Sequence, residues 1–365
     1  MSETVSCLSR RAATDADRAQ RPRLGAPGCT FAHVGAPTQE PAVPARRTSH
    51  NFMRSVALLL AAVGLSEAAL EPLSGPGLTR GWDADLMLPL TALGTTYVMG
   101  GDSLKTAHGA RVSPQCIGEV APGPDFSKPV RFDVDAETGF PQRIFPLAGE
   151  STVPAGALAL PTTEASSPSA TVLLFMMNVH EWNNGVAGNV SASGLLIRGT
   201  AYRNLSSFPI WEQTALWKGE VDGPLVNGAP VLSSDGFVYV YWSSRYRASA
   251  IGLARANATS LGIGDASFEY YLGVDESGAA RWGSSGNEIP AAIPLGADDP
   301  AYNRVGELGA LYEPESKCFV LCFYNYSIGH PLPGYYCATS REPGGGWSPP
   351  QLIFNGSEPW CVGVG

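Results

Sequence analysis

Beyond Ser74 the chain sustains no helical stripe. Short β-branched and aromatic runs follow one another, separated by Gly, Pro, Asn and Asp. Outside one N-terminal apolar stretch, no segment repeats apolar residues at i, i+3, i+4 and i+7 over three turns. With Gly 42, Pro 30 and only 16% charged residues, turn formers are abundant and a strand-and-turn protein follows. The runs predict strands over 95–100, 171–178, 194–202, 237–242, 268–272, 308–312, 318–324 and 334–338. They fall into about four clusters at intervals of roughly 50 to 70 residues, the scale of propeller blades with inserted loops. A β-sandwich is the competing all-β solution. Residues 151–170, rich in Ser, Thr, Pro and Ala, read as an exposed loop within one cluster.

The N-terminal part obeys other rules. Residues 1–52 hold seven Arg, no Lys and four acids, many Ala and Pro, and no apolar period; they read as a disordered or mis-annotated leader. Met53-Arg54, the apolar residues 56–65 and Ser66-Glu67-Ala68-Ala69 then form a signal-peptide pattern over 53–68. The apolar run is too short to span a bilayer. The remainder, 69–365, is read as one domain.

Two further features fit a secreted, extracellular protein. Asn189, Asn204, Asn257, Asn325 and Asn355 each begin an Asn-x-Ser/Thr acceptor, five in all. Cys116, Cys318, Cys322, Cys337 and Cys361 follow the signal, and an oxidising compartment would pair most of them into disulfides. Five is odd, so one thiol is left over. Cys318 and Cys322 lack the second ligand pair that a structural zinc site needs, so no metal site is assigned.

Removing the basic leader takes away three positive charges and moves the net charge from −9 to −12. An acidic body without a Lys/Arg block disfavours nucleic acid as a partner. Neutral or weakly charged ligands are the better expectation.

Carboxylates on apolar strands carry the chemistry. Asp85 lies in Trp82-Asp83-Ala84-Asp85-Leu86-Met87, and Asp102 ends Tyr97-Val98-Met99-Gly100-Gly101-Asp102. A charge there is costly to bury without a partner or a task, although Asp also serves as a plain turn residue. Trp182, in His180-Glu181-Trp182-Asn183-Asn184, and Trp242 with Arg245, in Tyr241-Trp242-Ser243-Ser244-Arg245, combine flat rings with hydrogen-bonding neighbours. That combination suits sugar rings, while most of the eight Trp are core residues.

An ordered series of phrases completes the reading. Phe237-Val238-Tyr239-Val240-Tyr241, Ile251-Gly252-Leu253-Ala254-Arg255-Ala256, Phe268-Glu269-Tyr270-Tyr271, Arg304-Val305-Gly306-Glu307-Leu308-Gly309 and Gly345-Gly346-Trp347-Ser348-Pro349-Pro350 follow Asp85-Leu86 and Gly101-Asp102-Ser103. In this order they resemble the secreted domain-of-unknown-function 4185 family, some of whose members are endo-D-arabinanases of glycoside hydrolase family 183. The similarity spans roughly residues 78–361. It implies a five-bladed β-propeller with a sugar cleft at the axis. Because such proteins would start another blade where this chain has Trp360-Cys361-Val362-Gly363-Val364-Gly365, the resemblance implies either a last blade truncated at the C-terminus or a ring closed differently. It also implies that Asp85 and Asp102 act on a furanosidic bond, with Glu307 matching the acid of the family's Gly-Glu-Leu phrase. Where the family reads Gly-Thr-Asp-Leu-Gly this chain has Asp83-Ala84-Asp85-Leu86-Met87, so Asp83 competes with Asp85.

The resulting expectation is a secreted glycoside hydrolase acting on an arabinan-like furanoside polymer through paired carboxylates. Cleavage needs one acid to protonate the leaving oxygen and one carboxylate to activate water or attack carbon. Asp102, with the more apolar approach, is the candidate acid. Glu307 orients substrate or replaces one of the pair. The alternative is a non-catalytic carbohydrate-binding or adhesion propeller, since the fold hosts both. No Gly-x-Ser-x-Gly elbow, P-loop or dinucleotide fingerprint competes. No cofactor is expected, and a structural calcium between axial carboxylates is the one ion considered.

Overall fold

The computed structural model describes residues 83–104, 111–120, 130–132, 152–160, 169–182, 190–202, 210–245, 247–284, 290–295, 302–326 and 333–354. The leader and the signal peptide expected over 1–52 and 53–68 lie outside them. Every expected run lies in a strand, save Phe268, which stands one residue before one. The first sheet is β1 (Asp83–Ala92), β2 (Thr95–Leu104), β3 (Arg111–Val120) and β4 (Val130–Phe132). The second is β5 (Thr152–Leu160), β6 (Ser169–Trp182), β7 (Val190–Tyr202) and β8 (Ile210–Val221). The third is β9 (Asn227–Leu232), β10 (Phe237–Ser243), β11 (Ile251–Asn257), β12 (Glu269–Val274) and β13 (Ala280–Ser284). The fourth is β14 (Val305–Glu313), β15 (Cys318–Asn325), β16 (Gly334–Ser340) and β17 (Gln351–Phe354).

Each sheet is an antiparallel meander in chain order, and the first strands touch in succession, β1 to β5, β5 to β9 and β9 to β14. Three apolar clusters then follow from strand alternation. Leu90, Met99 and Ile117 of the first sheet join Val172, Leu174 and Met176 of the second. Leu173 and Phe175, on the other face of β6, join Val238, Val240 and Trp242 of the third. Tyr239 and Tyr241, on the other face of β10, join Phe319, Leu321 and Phe323 of the fourth. Two-sided burial of successive sheets is the propeller arrangement, not a two-sheet sandwich. The described residues form four such sheets, where five blades were expected. Four is also the number of strand clusters read along the chain; the fifth blade came only from the family resemblance.

The segment read as a loop over 151–170 is corrected as well, because residues 152–160 form β5 and are largely buried. Its Thr, Pro, Ala and Gly content reflects close approach of backbones. A Cβ on Gly156 would run into the Gly228 carbonyl and the Pro230 ring of β9. Small residues are required where two inner strands meet, and β-propensity alone does not reveal that need.

One short helix, α1 (Ala258–Ile263), interrupts the third sheet. Asn257 caps it by accepting bonds from the Thr259 and Ser260 amides at 2.9 and 3.1 Å. Asn257 is exposed, as a glycosylation acceptor must be. Asn325 is not: it is fully buried at the end of β15, so the acceptor reading there is corrected. Asn189, Asn204 and Asn355 lie outside the described residues. Cys322 and Cys337, opposed in the β15–β16 register, form a disulfide. Cys116 is buried, and burial pushes the half-buried Cys318 thiol up from its ordinary range. Among the described residues no helix is long and apolar enough to cross a membrane.

Candidate functional site

Polar side chains gather where the third and fourth sheets begin. Asn227 opens β9 and donates its Nδ2–H to the Gly306 carbonyl of β14 at 2.7 Å, holding the two inner strands level at their starts. The segment after β10 crosses to the same place: the Arg247 amide bonds to the Val305 carbonyl at 2.9 Å and the Val305 amide to the Ser249 carbonyl at 3.0 Å. From the far side the Tyr326 amide bonds to the Arg304 carbonyl at 2.8 Å. Glu307, third residue of β14, is therefore approached by two long side chains on fixed backbones.

Its carboxylate is fully engaged. Arg247 Nη2 donates to Glu307 Oε1 at 2.7 Å, and the Tyr326 hydroxyl lies 2.9 Å from Oε2 and 3.2 Å from Oε1. The guanidinium carbon also sits 4.6 Å from the centre of the Tyr326 ring. With side-chain exposures of 20% and 14%, the Arg247–Glu307 pair is largely withdrawn from water. Removing one member of such a pair is costly, because the other is left as an uncompensated charge. Donors on both oxygens suit a carboxylate rather than a carboxylic acid. Chemically, Glu307 is equipped to accept protons or hydrogen bonds, not to supply a proton.

Two local signals mark the place. Arg247 has φ +65°, in the left-handed region where a long side chain is uncommon. Gly306 has no room for a Cβ, which would enter the Tyr326 ring and stand 3.1 Å from Arg247 Cγ. Glycine there lets ring and guanidinium close over the strand.

The first-sheet acids are located by their backbones. Asp83 pairs with Leu104 and Asp85 with Gly101, the residue before Asp102, with register shifts on either side of Asp85. Asp85 and Asp102 thus stand on adjacent paired strands, offset by one residue, beside irregular pairing of the kind found at functional edges. Their side chains, like those of Asp83 and Trp182, lie outside what the structure describes. Leu90 and Ala92 of β1 share an apolar cluster with Ala157 and Ala159 of β5, so the two strands pack against each other.

The expected sugar-binding residues fare differently. Trp242 is 6% exposed, and its ring fills the space over Gly252 where a Cβ would collide with it; it is a packing residue between the second and third sheets. Arg245 is exposed, with Asp222 at 3.8 Å, whereas Arg247, two residues on, reaches the acid. Sequence reading missed Arg247, Tyr326 and Asn227. Tyr326 was hidden inside the Asn325-Tyr326-Ser327 acceptor motif. A Ser–His contact also exists, His180 Nε2 to Ser193 Oγ at 2.9 Å, but Ser193 is 1% exposed and so serves as a tie rather than a nucleophile. Among the described residues no three His, Cys, Asp or Glu side chains cluster as metal ligands.

No protein-family model and no curated protein matches the chain. Solved structures do align with it. An N-acetylgalactosamine deacetylase from F. plautii, in complex with blood group B trisaccharide, aligns at 11% identity with a TM-score of 0.39. That alignment covers 70% of this chain and 66% of the other, just under two thirds of its length. A GH43 β-1,3-galactosidase with galactodeoxynojirimycin aligns at 10% identity and TM-score 0.33, covering 71% and 73%.

Proposed function

We propose that this chain is a secreted, monomeric glycoside hydrolase of the domain-of-unknown-function 4185 type, cutting a furanoside polysaccharide of arabinan kind with Asp85 and Glu307 at the starts of the first strands of their sheets and Asp102 near the end of the second strand, β2. The observation that carries the reading is Glu307, an acid singled out beforehand by its phrase and found at the opening of β14 with both oxygens held by Arg247 and Tyr326. Asp85, or Asp83 in its place, and Asp102 supply the remaining acids from the first sheet. Because Glu307 is dressed as an anion, the proton donor to the leaving oxygen falls to the Asp85–Asp102 pair, with Asp102 as the acid. The Cys322–Cys337 disulfide supports an oxidising compartment, and exposed Asn257 is available to a glycan.

A carbohydrate-binding module without catalysis is the second reading, favoured by the same ion pair: a carboxylate so fully bonded also makes a good fixed acceptor for sugar hydroxyls. The test is release of reducing ends from arabinan by the wild type and by Asp85→Asn, Asp102→Asn and Glu307→Gln, alongside a glycan array. Hydrolysis that drops at least ~100-fold in each variant fits the enzyme. Array binding with no new reducing ends in the wild type selects the module instead.

A further inference from the structure

We propose that Arg247 and Tyr326 are positioning residues that clamp Glu307 as a charged carboxylate in one orientation at the start of β14, so that Glu307 meets substrate as a base or acceptor and never as a proton donor. This rests on reading Glu307 as a substrate-facing acid.

The clamp has three independent parts. Arg247 comes from the third sheet's side, at the segment after β10, and is fixed there by its amide bond to the Val305 carbonyl and a left-handed backbone. Tyr326 comes from the end of β15 and is fixed by its amide bond to the Arg304 carbonyl. The two side chains stack on each other, and Gly306 leaves the space they occupy. Beside them β9 contributes the neutral Asn227, which donates to the Gly306 carbonyl. A simple tie between sheets would need the Arg247–Glu307 ion pair alone. A second donor whose ring also carries the guanidinium adds orientation, because it removes rotation of the carboxylate about its last torsion. The left-handed Arg247 backbone, which a long side chain adopts only at a cost, fits a residue held for geometry rather than for packing.

The experiment compares the full chain with Arg247→Gln, Arg247→Lys, Tyr326→Phe and Glu307→Gln, using arabinan as substrate and thermal melts as the folding control. For Arg247→Gln we expect kcat to fall ~10- to 100-fold with KM changed less than about threefold, and the acidic limb of the pH–rate profile to rise by about one pH unit. Lysine at 247 should recover part of both, and Tyr326→Phe should move both in the same direction by less. Rates that fall only with the folded fraction, with the acidic limb unmoved, would overturn the proposal. A wild type that leaves arabinan intact would count against the hydrolase reading instead, whereas a Glu307→Gln variant as active as wild type would overturn the role given to Glu307 and the clamp with it. Carbon-13 NMR titration of the Glu307 carboxyl decides the clamp without activity. A higher midpoint in Arg247→Gln than in wild type supports it, and superimposable curves sink it.

Discussion

The seam between the third and fourth sheets and the seam between the first and second are built from different chemistry. The former is aromatic: Tyr239, Tyr241, Tyr271, Phe319, Phe323, Tyr336 and Trp347 fill it, meeting edge to face in pairs such as Tyr239–Phe319 and Tyr241–Trp347 at 5.7 and 5.6 Å. The latter is mostly aliphatic, with Leu90, Met99, Ile117, Val172, Leu174, Met176 and Ile197, and with Tyr97 its one buried ring among the described residues. Aliphatic packing asks only for volume. Rings with hydroxyls need partners at their tips, and two of the tyrosines show theirs: Tyr241 donates to the Pro343 carbonyl at 3.1 Å and Tyr239 to Asp235 at 2.8 Å. The aromatic seam therefore specifies the orientation of its two sheets more narrowly. It is also the seam that carries the Glu307 cluster, whose proposed role needs a carboxylate held in one place.

The largest expected effect separates the two seams directly. Phe323→Ala should cost about 4 kcal/mol and Leu174→Ala about 3, both being fully buried, by the ordinary scale of core truncations. Urea melts at neutral pH would give both values. A Leu174→Ala loss larger than that of Phe323→Ala would break the claim that the aromatic seam is the more exacting one. Next comes the disulfide, which closes a separation of 15 residues within the fourth sheet. Cys322→Ser with Cys337→Ser should lower stability by about 3 kcal/mol. The loss should be localised to β15 and β16 in hydrogen exchange. Equal loosening of the first and second sheets would show that the seams are not independent.

How much of this was legible depended on which physical signal a residue leaves in sequence. The β10, β15 and β16 runs are dense in β-branched and aromatic residues and were readable outright. β5 was not, because an inner strand pressed against another backbone selects Ala, Gly and Pro, the residues that ordinarily mark loops. Glu307 was found through its phrase, yet its partners were not. Arg247 is set by an unusual backbone torsion and Tyr326 by a contact between sheets, and neither has a fixed spacing from Glu307. Asn325 misled for the opposite reason: its three-residue acceptor motif is complete, but the motif says nothing of burial, and β15 carries the residue inside.

The smallest effect concerns the hydroxyls of the aromatic seam at high pH. Burial pushes the phenols of Tyr239, Tyr241, Tyr271 and Tyr336 above their ordinary value, and in Tyr239 the neighbouring Asp235 adds to it. Below about pH 10 these phenols are neutral in both folded and unfolded chains and contribute nothing to pH dependence. Above it the unfolded chain releases protons that the folded chain retains, so stability must fall as pH rises, by at most about 1.4 kcal/mol per pH unit for each hydroxyl. Denaturant melts at pH 8 and at pH 11 should show this loss, with β10 and β15 exchanging amide hydrogens before β6 and β7. Tyr271→Phe and Tyr336→Phe should each make the loss smaller, since a phenylalanine keeps the ring in the seam and removes the proton. An alkaline loss identical in wild type and both variants would mean that the phenols of this seam do not govern it. The contrast between the seams would then rest on ring packing alone.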